Sequence, residues 1–142
     1  MEFFKNINVV SLEQATVAPY LTYRLAHDGM NVIRLEHPVY GDPNRMVGSN
    51  VLNEERMNSY FLCINAGKKA LTLNLADPKG KELFYNLVEK LPIDIFITNQ
   101  LPKNYEKLGI AYDLIKKVKP DIIWLGLTGF GPDSNEGAYD PI

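Results

Sequence analysis

At 142 residues, with 46% hydrophobic and 23% charged side chains, the chain has the length of one domain and an ordinary globular composition. A net charge of −2 argues against a general electrostatic grip on nucleic acid. The single cysteine, Cys63, cannot form an internal disulfide, and a reducing cytoplasm is its expected setting, as a small buried hydrophobe.

The first residues, Met1-Glu-Phe-Phe-Lys-Asn6, do not read as a signal peptide, and no segment approaches the ~18 apolar residues that span a bilayer. Ile7 to Leu12 is a β-branched run that predicts a buried strand. Thr16 offers a helix cap and Pro19 suits a first turn. The helix is expected to run to Gly29, with Val17, Tyr20, Leu21, Leu25 and Ala26 on its apolar side. Asn31 to Leu35 follows as a second strand, completing a βαβ unit whose crossover is expected to be right-handed.

The turn after the first strand has no glycine between Ser11 and Pro19, so the Gly-x-Gly-x-x-Gly fingerprint of NAD and FAD sites is missing. Gly67-Lys68-Lys69 has the lysines of a Walker loop without its spacing. Residues 36–58 form a long irregular stretch at a strand's carboxyl end, where open α/β sheets place ligands. In it, His37 is either a surface residue or a neighbour of a bound nucleotide. Arg45 either holds a phosphate or pairs with Asp42.

Tyr60 to Asn65 is apolar enough to be buried but ambiguous in type, and Ala70 to Leu75 alternates as a strand does. Asp77-Pro78 starts a helix whose core stripe is expected at Leu83, Phe84, Leu87 and Val88. Ile93 to Thr98 is a strand. Lys103 to Leu108 and Tyr112 to Val118 are short helices, and Lys116, Lys117 and Lys119 complement the dipole of the second. Ile122 to Leu127 is the last strand and runs into the loop Gly126-Leu-Thr-Gly-Phe-Gly-Pro-Asp133. Strands alternating with helices predict an α/β fold, Rossmann-like, with a mainly parallel sheet covered on both faces. The carboxyl ends, carrying Thr16, His37, Asn99 and the Gly129 loop, should converge on one edge.

Several segments together resemble one family. They are Val9-Val-Ser-Leu with Ala18-Pro19, Asp28-Gly29 with Val32-Ile-Arg-Leu-Glu36, and Gly41-Asp-Pro-Asn-Arg45. Asn65-Ala-Gly-Lys-Lys69, Thr72-Leu-Asn-Leu75 with Pro78 and Gly80, Leu108-Gly-Ile110 with Asp113, and Thr128-Gly-Phe-Gly-Pro132 with Tyr139-Asp140 continue the series. This ordered set, covering nearly the whole chain, resembles the N-terminal part of the family III (CaiB/BaiF-type) CoA-transferases. The resemblance implies that residues 1–142 are part of a large domain whose protomers interlock as a dimer. It implies no metal and no NAD or FAD, with coenzyme A or acyl-CoA as the substrate. Family members move CoA from an acyl-CoA to an acceptor carboxylate through an aspartyl anhydride and thioester.

Carried over by position, the resemblance implies cofactor contacts at Thr16 and Val17. His37 stands where an arginine often meets the nucleotide phosphates. Leu73, Asn74, Leu75 and Ala76 are implied to line the adenine pocket, with Asn99, Gln100 and Leu101 beside them. Lys107 takes a usually arginine, phosphate-contacting position, and Gly137, Ala138, Tyr139 and Asp140 approach the pantetheine arm. Tyr139 replaces the histidine base of the family's racemases, which favours transfer over epimerisation. The nucleophilic aspartate is expected beyond residue 142, so this chain alone should be inactive. A 2-methylacyl-CoA racemase-type protein, a non-catalytic CoA-binding subunit and an α/β domain that binds nothing are the alternatives. A missing second half would also leave apolar surface exposed and the chain prone to associate.

Overall fold

The computed structural model describes residues 4–138. Five strands build one parallel sheet: β1 (Asn8–Leu12), β2 (Asn31–Glu36), β3 (Lys69–Thr72), β4 (Ile95–Thr98) and β5 (Ile123–Gly126). Their order is β3-β2-β1-β4-β5. Val9 of the central strand registers with Val32 on one side and Ile95 on the other. The chain thus walks outward from β1 to β3, then returns to β1's free side for β4 and β5. The order reverses at β1, the kind of point at whose carboxyl edge open α/β sheets place ligands.

Successive side chains of a strand point to opposite faces, and β1 divides its valines accordingly. Val10 joins Leu35, Phe84, Val88, Phe96, Ile110 and Ile115 in the larger core. Val9 joins Ala18, Val32 and Ile97 on the other face, with Leu21 and Leu25 packed against them. Helix α1 (Val17–His27) therefore covers one face. Helices α3 (Pro78–Lys90) and α5 (Tyr112–Val118) cover the other. Two further short helices are α2 (Ser59–Cys63) and α4 (Tyr105–Leu108), the latter packing Tyr105 and Leu108 against the larger core.

Local chemistry explains the helix ends. Asp77 accepts the Lys79 N–H at 2.8 Å and Pro78 needs no donor at the first position, so α3 starts there. Gly109, at φ +71°, ends α4, and its carbonyl accepts the Tyr85 hydroxyl at 2.9 Å. Gly80 is buried against Asn74, whose carbonyl oxygen a β-carbon there would strike, so only glycine fits. That contact presses α3 against the segment following β3.

Some expectations about burial fail for identifiable reasons. Val17 and Tyr20 are exposed, and Thr22 turns inward instead, because its hydroxyl donates to Glu13 at 2.6 Å. Thr16 occupies the cap position of α1 without a capping bond from its side chain. Leu83 is exposed, since the stripe of α3 runs through Gly80, Phe84 and Val88. Residues 60–65 hold most of the short α2, in which Phe61 is buried and Cys63 is exposed, the reverse of its expected setting. Strand β3 stops at Thr72, and all four of its residues are exposed at the sheet edge. On β5, Ile123 (61% exposed) and Leu125 (38%) alternate with the packed Trp124, leaving apolar surface on the α1 face. Among the described residues no helix is long and apolar enough to cross a membrane.

Candidate functional site

The turn after β1 forms the middle of the sheet's carboxyl edge. Gln14 is gripped by Asn99, which follows β4: its N–H donates to Oδ1 at 3.1 Å and its carbonyl accepts from Nδ2 at 2.8 Å. Ala15 is held from the opposite side by the loop after β2. Its N–H donates to Asp42 Oδ1 at 3.3 Å, and its carbonyl accepts Asn44 Nδ2 at 2.7 Å. Ala15 sits at φ +60°, a left-handed conformation that costs an L-residue roughly 1–2 kcal/mol.

Beneath this turn lies a buried charge cluster. Arg34 of β2 donates to Asp42 Oδ2 and to Asn65 Oδ1, both at 2.7 Å. Its Nε is 3.4 Å from Glu36 and 3.7 Å from Glu13, although neither contact is a hydrogen bond. Lys68 Nζ donates to Glu13, to the Pro19 carbonyl and to Asn65, each at 2.8 Å. Arg45 forks onto Glu36 through Nε at 2.8 Å and Nη2 at 2.7 Å. The guanidiniums of Arg34 and Arg45 both lie against the Phe61 ring, 5.0 and 3.8 Å from its centre. Three carboxylates thus face three cations, with all but the partly exposed Arg45 side chain out of water. Arg45 pairs with Glu36, neither free for phosphate nor bonded to Asp42 as its loop position suggested.

Burial raises the Glu36 carboxyl, but the Arg45 fork and the charges of Arg34, Arg45 and Arg56 outweigh it and hold it below the ordinary range. Loss of solvent pulls the Lys68 ammonium down to about 8, despite the opposing pull of Glu13.

Above the cluster, the carboxyl ends of β1, β2 and β3 enclose a cavity of about 170 Å³. Leu12, Leu35, Leu75 and Leu108 give it apolar walls, and Gln14, Asn74 and Gln100 add amides. His37 is at its rim. The His37 Nδ1 accepts the N–H groups of Val39 and Tyr40, both at 3.2 Å, and the ring stacks on Tyr40. An accepting Nδ1 places the proton on Nε2. Among the described residues no lysine or arginine lines the cavity, and its two carboxylates, Glu13 and Glu36, are already paired.

Of the residues expected at a cofactor, His37, Leu73, Asn74, Leu75, Ala76 and Gln100 come together in this cavity. Asn99 and Leu101 are its neighbours in sequence, with Asn99's amide bonded to Gln14. Thr16 stands 3.3 Å from the Tyr60 hydroxyl, Val17 points into solvent, and Lys107 is exposed beside the lining Leu108. Gly137 and Ala138 are exposed, with Ala138 packed where Gly129 has no side chain. Tyr139 and Asp140 lie outside the described residues. The charge cluster beneath went unread, although one signal marked it: Arg34 interrupts the apolar run Val32-Ile33-Leu35.

Comparison with known proteins places this arrangement. A family model described as CoA-transferase family III matches residues 4–142. The chain belongs to CoA-transferase family III. It is 32% identical over 145 residues to succinyl-CoA:glutarate CoA-transferase of Mus musculus, covering 100% of this chain and 32% of that protein. To the succinyl-CoA–L-malate CoA-transferase beta subunit of Chloroflexus aurantiacus it is 30% identical, over 88% of this chain and 30% of that one. Among solved structures, a CAIB/BAIF family protein from Brucella suis superposes with a TM-score of 0.85 at 30% identity, over 96% of this chain and 36% of that one. The chain thus spans about a third of the length of the curated relatives it matches.

Proposed function

We propose that residues 1–142 are the nucleotide-binding portion of the large domain of a CoA-transferase. The observation that carries this reading is the cavity joining His37, Leu73, Asn74, Leu75, Ala76 and Gln100 at the reversal of strand order, in a chain of CoA-transferase family III. The adenine ring of CoA enters the apolar cavity. Its phosphates stay at the rim, where His37 donates from Nε2 and Lys107 supplies charge, because no lysine or arginine among the described residues lines the walls.

In this reading the nucleophile is an aspartate that is not among these residues. Its carboxylate attacks the acyl-CoA thioester and expels the CoA thiolate, leaving a mixed anhydride. The thiolate then attacks the aspartyl carbonyl and releases the donor acid. The acceptor carboxylate attacks the resulting aspartyl-CoA thioester and gives a second anhydride with free thiolate. The thiolate finally takes the acceptor acyl group and regenerates the aspartate. The working form is an interlocked dimer in the cytoplasm. Tyr139 in place of a histidine base argues against the racemase alternative.

A second reading is a CoA-binding subunit that complements a separate catalytic chain. It is favoured by the relative named as a beta subunit.

Thermal unfolding with ligand tests the shared core of both readings. CoA at a hundred times its Kd is expected to add about 2.7 kcal/mol of stability, while NAD adds none. Protection by NAD, or none by millimolar CoA, overturns the assignment. Mixing the chain with a candidate catalytic chain and assaying transfer separates the second reading from the first.

A further inference from the structure

The backbone polar groups of two consecutive residues in the β1–α1 turn are held by side chains from two distant segments. Asn99 occupies both polar groups of the Gln14 backbone. Asp42 and Asn44 occupy both polar groups of Ala15. Between the two grips the backbone is left-handed at Ala15, a conformation that an unrestrained alanine leaves. Helix α1 begins two residues later, so a relaxed turn could wind back into it.

The turn also forms part of the cavity wall, to which Leu12, Glu13 and Gln14 contribute. Asn99 was expected to touch a cofactor, yet its amide oxygen and nitrogen are both bonded to protein backbone. Asn44 is buried, and its amide nitrogen points at the Ala15 carbonyl. Neither side chain is arranged as a ligand contact, and both act on the one segment that shapes the cavity.

We propose that Asn44 and Asn99 are positioning residues that hold the β1–α1 turn, with Ala15 left-handed, in the shape that receives the ligand. The loop after β2 and the loop after β4 are thereby coupled to the cavity through backbone they do not adjoin in sequence. Where affinity is the readout, the proposal rests on the CoA reading above.

The test uses Asn44→Ala, Ala15→Gly and their combination in the 142-residue chain, with Asn99→Asp as a second route should Asn44→Ala not fold. Amide exchange at residues 14 and 15 reads the grip, and calorimetric titration with CoA reads affinity. Asn44→Ala frees the Ala15 carbonyl and leaves the Ala15 N–H on Asp42, so a turn that opens more often should exchange about tenfold faster at residue 15 and bind CoA more weakly by a similar factor, the size of one lost hydrogen bond. Glycine takes a left-handed φ without a β-carbon clash, so Ala15→Gly should restore affinity in the Asn44→Ala background. Asn99→Asp keeps the acceptor for the Gln14 N–H but loses the donor to its carbonyl, and it should show the same partial loss.

Unchanged exchange in Asn44→Ala overturns the proposal. So does faster exchange with unaltered CoA affinity, which would make the grip purely structural, or lost affinity that Ala15→Gly does not recover. If the unaltered chain binds no CoA, the CoA reading fails. The grip is then decided by exchange alone: it stands if Asn44→Ala quickens residue 15 and falls if it does not.

Discussion

Arg34 and Asp42 meet at 2.7 Å with both side chains out of water, and the same aspartate accepts the Ala15 N–H. One contact therefore fastens β2 to the loop after it and, through that loop, to the turn at the cavity. Removing Arg34 leaves Asp42 as a buried charge without its guanidinium. Arg34→Ala is expected to cost about 3–5 kcal/mol, read as a lower urea midpoint at unchanged slope. A loss under 1 kcal/mol would show that water reaches the cluster.

Lys68 gives an alkaline signature. Its ammonium is held at about 8 in the folded chain, against 10.5 for the free side chain. Between these values the unfolded chain binds a proton that the folded chain has released, so stability rises with pH across that window. Burial holds the Tyr85 and Tyr105 phenols above their usual 10, so these groups work the other way at higher pH. Urea titrations between pH 7 and 10 should show the rise, and Lys68→Met should flatten it.

Glu36 gives the acid counterpart. Its carboxyl lies below 4.5 when folded, so the unfolded chain takes up a proton first as pH falls. The stabilisation is complete above that value and is lost as pH drops through the folded pKa. Glu36→Gln should shrink the acid limb of the stability profile. An identical limb in the variant would assign acid unfolding to other carboxyls.

Gly80 ties stability to the cavity wall. A methyl group there would strike the Asn74 carbonyl oxygen, so one of the two backbones must shift. Gly80→Ala should cost about 1–3 kcal/mol by overpacking. It should also weaken CoA, because Asn74 lies in the lining segment. Lost stability with full affinity would mean that α3 yields instead of the wall.

Ile123 and Leu125 should draw chains together, since both present apolar surface on β5. Sedimentation is expected to show concentration-dependent association, reduced by Ile123→Lys with Leu125→Lys. Unchanged sedimentation of the double variant would place the contact elsewhere.

The sheet was legible because its strands are short apolar runs bounded by turn residues, and Asp77-Pro78 announced α3 directly. Burial was less legible on α1, where Thr22 is inside because Glu13 offers it an acceptor, and Val17 is outside. Hydropathy alone ranks them in the opposite order. The cavity-lining residues Leu73, Asn74, Leu75 and Ala76 came from the family resemblance, not from their own chemistry. The partner of Arg45 was hidden for another reason. Asp42 is nearer in sequence, but Glu36 ends a strand whose direction aims its carboxylate at the guanidinium. Pairings of this kind depend on the path of the loop, which local sequence does not encode.

The balanced cluster of Glu13, Arg34, Glu36, Asp42, Arg45 and Lys68 also bears on how such a sequence can drift. A single change of sign leaves an odd charge with nowhere to go, whereas a matched pair of changes restores neutrality. Replacements at these six positions are therefore expected to be inherited in compensating sets, and a library randomised at all six should return survivors that are neutral in sum. The exposed lysines of α5 carry no such constraint and should vary one at a time.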